Sequence, residues 1–315
     1  MSESEKGVSI MTSTTREILD NYQIRKTKHQ KTAFIDWLVP ILEQNGWTVS
    51  IETGSMKCRN IVIGDIKKAK VVYTAHYDTC AVLPFPNFIT PKNPLYYWMY
   101  QILIMIPIFG FIFAVSWLFS LMGEGMFLVG YWLGFGCFMG MMFFGPANRN
   151  TANDNTSGVT AVVDLALKMP AELRGQAAFV LFDLEEAGLV GSSAFAKKHK
   201  KTMKDKLLMN LDCVSDGETV LFVLKKGAHP HLEMLKNAFP SDGRVTAEFA
   251  IKGYVYPSDQ KNFPKGVGIC ALKKTKRGLL YMDKIHTKRD TVYRSENIHW
   301  LVEGCIRLTE KMEAL

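Results

Sequence analysis

The sequence predicts an α/β protein: a three-layer α/β/α domain with a mainly parallel central sheet, plus an inserted transmembrane helical hairpin. Three observations carry this reading. Short apolar runs alternate with helix-like segments through the C-terminal half, the pattern of strand–helix–strand units. Acidic or imidazole side chains follow directly on several of these runs, at the strand ends where open α/β sheets gather their ligands. Between Asn93 and Asn148 the only charged residue is Glu124.

Taken in order, residues 1–15 read as a flexible leader rich in Ser and Thr, with no apolar core that would mark a signal peptide. Residues 16–45 read as one helix, because Ile18, Tyr22, Phe34, Trp37, Leu38 and Ile41 recur at roughly helical spacing. Pro40 is expected to kink it and Asn45-Gly46 to end it. Strand-like runs follow at 47–52, 60–64 and 70–75, the last leading straight into His76. After Asn148, helices are expected at 158–168, 192–201, 230–237 and 295–314. Strands are expected at 177–183, 207–211, 219–224 and 267–272. The domain therefore comprises residues 16–92 and 147–315, with residues 93–146 as the insertion.

The insertion splits into two spans, about 97–122 and 126–145, joined at Gly123-Glu124-Gly125. Each is long enough for a bilayer, which takes about 20 apolar residues. Tyr96, Tyr97, Trp98 and Tyr100 at the entry suit an interfacial aromatic belt. Buried core helices of this length show a polar stripe, and these show none.

The chain of 315 residues has a net charge of +8. Its basic runs, residues 197–201 and 273–277, come with no nucleic-acid motif and no regular aromatic interleaving. They read as solvated faces, with anionic lipid as a further partner if the hairpin crosses a membrane. The six cysteines are scattered without a C-x-x-C pair. They read as free thiols of a reducing compartment, none at a ligand position. The turn at 123–125 carries no Lys or Arg, so all 38 basic residues lie on the other side. That bias places the domain in the cytoplasm, integral to the cell membrane through two helices.

Five short segments carry chemistry. They are His76-Tyr77-Asp78, Asn153-Asp154-Asn155, Glu185-Glu186, Leu211-Asp212 and Ile285-His286-Thr287. Imidazole and carboxylate both bind Zn²⁺ at about 2.0–2.2 Å. A carboxylate has two oxygens and can bridge two ions roughly 3.5–4 Å apart. In Glu185-Glu186 neighbouring side chains diverge, so one can ligate while the other stays free as a base. Asp78, on the same strand face as His76, is placed to accept the imidazole's second N–H. Taken singly, each segment is commonplace: a strand-end histidine, a solvated acidic pair, an Asn-Asp-Asn turn. Five in order, each in a suitable context, make a strong signal.

The stretches TAHYDT, TANDNTSGVT, FVLFDLEEAGLVGSSAF, MNLDCVSDG and KIHTKRDT resemble the zinc aminopeptidases of peptidase family M28. The resemblance covers residues 16–92 and 147–315. It implies a zinc-exopeptidase-like fold and two Zn²⁺ ions, other divalent metals being possible. It implies Asp154 as bridging ligand, His76 and Asp212 on one ion, Glu186 and His286 on the other, and Glu185 as general base. It further implies peptide substrates with a free N-terminus, since one ion in the family also holds the α-amine. Two departures stand out. The two spans sit where the family has a short connection, and Gln260 stands where the family has the histidine of a Ser-Asp-His. Tyr256 is the candidate for stabilising the oxyanion, with Tyr254 behind it. Two other functions fit the same fold: a single-zinc glutaminyl cyclase, and a non-catalytic membrane receptor or scaffold. The full Ala152-Asn153-Asp154 segment favours two metals over one, and the five retained ligands and the candidate base argue against a scaffold. Oligomeric state is not legible in the sequence.

Overall fold

A computed structural model describes residues 11–83 and 87–314. Residues 1–10 of the expected leader lie outside the described residues. The first helix, α1 (Ser13–Asn21), begins inside the stretch read as leader, with the Thr12 hydroxyl accepting from the Thr15 N–H. The single helix expected over 16–45 is two. The chain breaks after α1 and restarts as α2 (Lys28–Gln44). The restart has a local cause: Thr27 and Gln30 form a reciprocal capping box. Apolar periodicity runs through the break and conceals it. Pro40 stands inside α2, and Gly46, with φ +88°, follows its end.

Among the described residues, nine strands form one sheet. They are β1 (Val49–Thr53), β2 (Arg59–Ile63), β3 (Val71–His76), β4 (Ala177–Phe182), β5 (Leu207–Leu211), β6 (Thr219–Leu224), β7 (Thr246–Ala250), β8 (Gly266–Lys274) and β9 (Leu280–Tyr281). Their order is β1-β2-β4-β3-β5-β8-β6-β7, with β9 beside β8. The four strands β4-β3-β5-β8 run parallel, as do β6 and β7, while β1, β2 and the β6–β8 pair are antiparallel. The parallel character expected of the sheet thus belongs to its centre. The reading missed β7 and β9: one is a half-exposed edge strand, the other two residues long.

Residue parity assigns the two faces, because successive side chains of a strand point to opposite sides. Val71, Tyr73 and Ala75, with Ala177, Phe179 and Leu181, face a core shared with α1, α2, α5 (Gly158–Lys168) and α8 (Ser295–Glu313). Val72, with Ala178, Val180 and Phe182, faces a second core with Phe195 of α6 (Val190–Lys198), Met203 and Phe263. Each fully buried Phe or Leu here contributes about 1.5–3 kcal/mol. The sheet is therefore wrapped on both faces, as a three-layer domain requires.

The insertion forms two helices, α3 (Pro94–Ser120) and α4 (Met126–Phe144). Both are long and apolar enough to cross a bilayer, and in each only 11% of the most apolar window is buried. At about 1.5 Å per residue, even the 19 residues of α4 reach roughly 28 Å. Gly130 lets the helices meet closely: a Cβ there would stand 2.7 Å from the Ser116 Cα. The two chain ends at the hairpin's root are tied together, Val82 N–H donating to the Pro146 carbonyl and Asn148 N–H to that of Cys80. A further short helix, α7 (Leu232–Ala238), packs near α8.

Candidate metal centre

Because β4, β3 and β5 are adjacent and parallel, their carboxyl ends share one edge of the sheet. His76 is the last residue of β3, and Asp212 follows β5 directly. Beyond β4, Asp183 accepts from Lys31 Nζ at 2.6 Å and from the Arg59 N–H at 2.9 Å. The chain then turns through Leu184, with φ +55°, and presents Glu185 and Glu186. Adjacent strands lie about 4.8 Å apart, so three neighbouring strand ends hold their side chains within reach of one point.

Asp154 reaches that point from the irregular turn before α5. The turn is pinned from both sides. Asn155 Nδ2 donates to the Leu211 carbonyl at 3.0 Å, and Asn153 Oδ1 accepts from the N–H groups of Ser215 and Asp216. Gly158 is required, since a Cβ would meet the Leu211 carbonyl oxygen at 2.2 Å. Asp290 accepts the N–H groups of Asn153 and Asp154, each at 2.9 Å, one on each oxygen. Sequence reasoning passed over Asp290; its only signal is a position four residues after His286. It also passed over Arg25, which is fully buried in the break between α1 and α2. Arg25 donates to the carbonyls of Tyr22 and Tyr77 and to the Thr156 hydroxyl. It thereby joins the neighbour of His76 to the turn that carries Asp154.

The five expected ligands converge. His76 Nε2 lies 3.3 Å from Asp154 Oδ1 and 3.4 Å from Asp212 Oδ1. His286 Nε2 lies 2.8 Å from Asp154 Oδ2 and 3.3 Å from Glu186 Oε2. Asp154 thus turns one oxygen toward His76 and the other toward His286. His286 comes from a loop with φ +61°, where its carbonyl accepts the Leu83 N–H.

Three details differ from expectation. The His76 Nδ1 faces the Asp78 carbonyl at 3.1 Å more closely than the Asp78 carboxylate at 3.6 Å. That carboxylate accepts the backbone N–H groups of Glu185 and Glu186 instead, so Asp78 orders the paired glutamates. Tyr256 lines the site, but its hydroxyl donates to the Asp212 carbonyl at 2.9 Å. Tyr254 donates elsewhere, to Leu224. Two cysteines do stand near ligand positions: Cys80 groups with Glu186 and His286, and Cys213 with Asp154 and Asp212. Burial pushes both thiols well above their usual range.

The charges at the site fit cations. Burial pushes the Glu186 carboxyl up to about 7 and that of Glu185 well above the carboxylate range. Burial likewise pushes Asp290 up to about 7, reinforced by the charge of Asp154. Burial opposes the charge of Asp154 too, but His286 and His76 beside it hold its carboxyl down. Glu186 Oε1 is buried without a hydrogen-bond partner. Carboxylates crowded in this way, with imidazoles and one oxygen unsatisfied, are the donor set of a divalent-metal site.

The sequence pattern of Peptidase family M28 matches residues 135–301. This chain belongs to that family. The matched stretch holds Asp154, Glu185, Glu186, Asp212 and His286, while His76 and Asp78 precede it. Among solved structures, the LapA aminopeptidase of Legionella pneumophila is 15% identical with a TM-score of 0.56, over 99% of this chain and 74% of its own. The glutaminyl cyclase of Porphyromonas gingivalis is 17% identical with a TM-score of 0.58, over 97% and 98%. A Zn-dependent exopeptidase from Parabacteroides distasonis is 16% identical with a TM-score of 0.55, over 94% and 96%. At such identities the likeness is one of fold. No curated protein matches the sequence significantly. Membership of M28 supports a hydrolase of the peptidase class.

Two small cavities flank the centre. One, about 140 Å³, is lined by His76, Asp154, Glu185, Asp212, Tyr256 and His286, and also by Tyr97 of α3. The other, about 190 Å³, is lined by Glu186 and His286 together with Met142 and Phe143 of α4.

Proposed function

We propose that this M28 chain is a membrane-anchored aminopeptidase that removes the N-terminal residue of peptides. The observation that carries the reading is the split of Asp154, one oxygen toward His76 and Asp212, the other toward His286 and Glu186. His76, Asp154 and Asp212 would hold one zinc ion, and Asp154, Glu186 and His286 the second. Bound zinc supplies Lewis-acid polarisation of a carbonyl and a water acidified toward neutral pH.

The chain's own residues do the rest. Glu185 stands in the cavity wall with its backbone N–H held by Asp78. Its carboxylate takes a proton from the attacking water and later returns it to the leaving amine. A carboxyl raised by burial suits both roles near neutral pH. The site cavity of about 140 Å³ has room for one residue rather than a chain passing through, which favours an exopeptidase. Tyr97, Met142 and Phe143 belong to the apolar helices and line the two cavities, so the cleft opens beside the bilayer. Peptides released at the membrane are the expected substrates. The catalytic domain lies in the cytoplasm, since the only charge in the turn of the hairpin is Glu124.

The likeness to a glutaminyl cyclase favours a second reading, cyclisation of an N-terminal Gln at a single zinc. Metal content and product release separate the two. Two zinc ions per chain are expected in the detergent-purified protein, with cleavage of unblocked but not N-blocked dipeptides. Glu185→Gln should retain zinc and lose about 10²–10⁴-fold in turnover. One zinc with cyclised product would replace the proposal with the cyclase. No metal and no turnover would leave a membrane scaffold. Replacing the hairpin by a short loop should lower turnover of apolar peptides; unchanged turnover would refute the bilayer-facing cleft.

A further inference from the structure

A sizeable cavity lies away from the candidate metal centre. It measures about 820 Å³ and opens at the foot of α3, between Lys92, Asn93 and Tyr96 on one side and the turn that joins β8 to β9 on the other. That turn is closed tightly. Gly278 N–H donates to the Thr275 carbonyl, Thr275 N–H to that of Leu279, and Leu279 N–H to the Thr275 hydroxyl. Gly278 has φ +85°, a conformation that costs glycine nothing. Lys276 and Arg277 are therefore the two central residues of a β-turn, held at its tip. Both are exposed, and among the described residues neither has an ion-pair partner. Lys92 is engaged by Glu248 of β7, the one acidic side chain in the wall. Three basic groups against one acid leave the cavity with a formal charge of +2.

Its height on the molecule is set by Tyr96. That residue precedes the apolar run directly and is 51% exposed, beside Trp98 at 57%. Tyrosine and tryptophan at the end of a span sit at headgroup level. A cavity sharing a wall with Tyr96 therefore sits there too, with a guanidinium and an ammonium facing it from a rigid turn. Arginine's planar fork matches a phosphate with paired hydrogen bonds, and lysine adds a point charge.

We propose that this cavity binds the headgroup of an anionic glycerophospholipid, with Arg277 and Lys276 on the phosphate and Tyr96 against the glycerol. The proposal rests on the hairpin's crossing a membrane, and not on the peptidase chemistry.

Native mass spectrometry of the full chain tests it, on protein released from micelles holding equal phosphatidylglycerol and phosphatidylcholine. The wild type should retain phosphatidylglycerol preferentially. Lys276→Ala with Arg277→Ala should lower that preference about 25-fold, near fivefold for each charge. Lys200→Ala with Lys201→Ala removes the same charge from another exposed basic run and should leave the preference intact. Both variants touch only exposed side chains, and matching thermal transitions would establish that they fold. Equal retention of the two lipids by the wild type would overturn the proposal. So would an equal effect of the two double variants, which would indicate diffuse charge. Displacement of the lipid by millimolar inorganic phosphate would also overturn it, indicating a free-anion site. Extraction of the protein from membranes by alkaline carbonate would instead refute the spanning hairpin itself.

Discussion

Arg25 offers the sharpest test of how the site is held. Its guanidinium is fully buried and donates to the carbonyls of Tyr22 and Tyr77 and to the Thr156 hydroxyl. Arg25→Met keeps much of the volume but leaves the Tyr22 and Tyr77 carbonyls without their donor, while the Thr156 hydroxyl keeps its hydrogen bond with Thr151. A buried polar group left unpaired costs about 1–3 kcal/mol, so the two together cost roughly 4 kcal/mol. Against this stands the burial of the charge. Burial lowers the Arg25 pKa from 12.5 to about 10, opposed by Asp78, and removing the charge returns roughly 3 kcal/mol. The net loss is about 1 kcal/mol. Arg25→Lys should fall between, since an ammonium keeps the charge but cannot match the fork. Equilibrium denaturation of the three detergent-solubilised proteins reads the stability. Zinc affinity, measured by competition with a chelator, reads the position of His76 and Asp154, whose neighbours Arg25 joins. An unchanged denaturation midpoint and zinc affinity in Arg25→Met would refute the reasoning.

Asp290→Asn should weaken zinc binding about 10–100-fold, the usual effect of disturbing groups behind a ligand, because an amide cannot accept both the Asn153 and Asp154 N–H groups. Chelator competition checks it, and wild-type affinity would exclude the role. Asp259 is buried, and neither carboxylate oxygen has a hydrogen-bond partner. Burial pushes its carboxyl up to about 7. The folded protein keeps this proton to about pH 7, whereas the unfolded chain releases it near pH 3.9. The contribution is complete below pH 3.9 and lost as pH rises to about 7. Metal-free Asp259→Asn should therefore gain stability over the wild type at pH 8, by at most about 4 kcal/mol, with little difference near pH 4. Denaturation at the two pH values decides it; parallel pH profiles would count against a buried proton. Gly130→Leu should splay α3 from α4, since even a Cβ there meets the Ser116 backbone. Cysteine cross-linking between the helices should fall, and unchanged cross-linking would contradict the packing.

What the sequence revealed and what it hid divide along a physical line. His76, Glu185, Glu186 and Asp212 follow apolar runs directly, so one local pattern gives both the strand and the side chain at its end. Asp154 and His286 were legible through segments of distinctive composition. Arg25 and Asp290 were not, because their roles depend on segments more than 50 residues away in the chain. A charged side chain in a loop carries no local sign that it will be buried. The break between α1 and α2 did have a sign, the Thr27–Gln30 capping box, but the apolar repeat across it was louder. The Asp78 carboxylate was assigned to His76 by strand geometry alone, which is blind to the incoming backbone of Glu185. The cysteines misled for a related reason: Cys80 and Cys213 form no ligand spacing in the chain and meet the acids only in three dimensions.

The position of the hairpin in the chain also sets an order of assembly. β3 is made before α3 and α4, yet β4 and β5, its strand partners among the described residues, are made after them. As the chain emerges from the ribosome, the central strand of the sheet has both edges bare until the second helix has returned. On the proposed spanning reading, the bilayer accepts the hairpin before the domain closes. A chain whose second helix failed to re-cross would leave His76 on one side of the membrane and its four proposed co-ligands on the other. Correct insertion would then be a precondition of the proposed metal centre, and a mis-threaded copy would be inert from synthesis rather than by later unfolding.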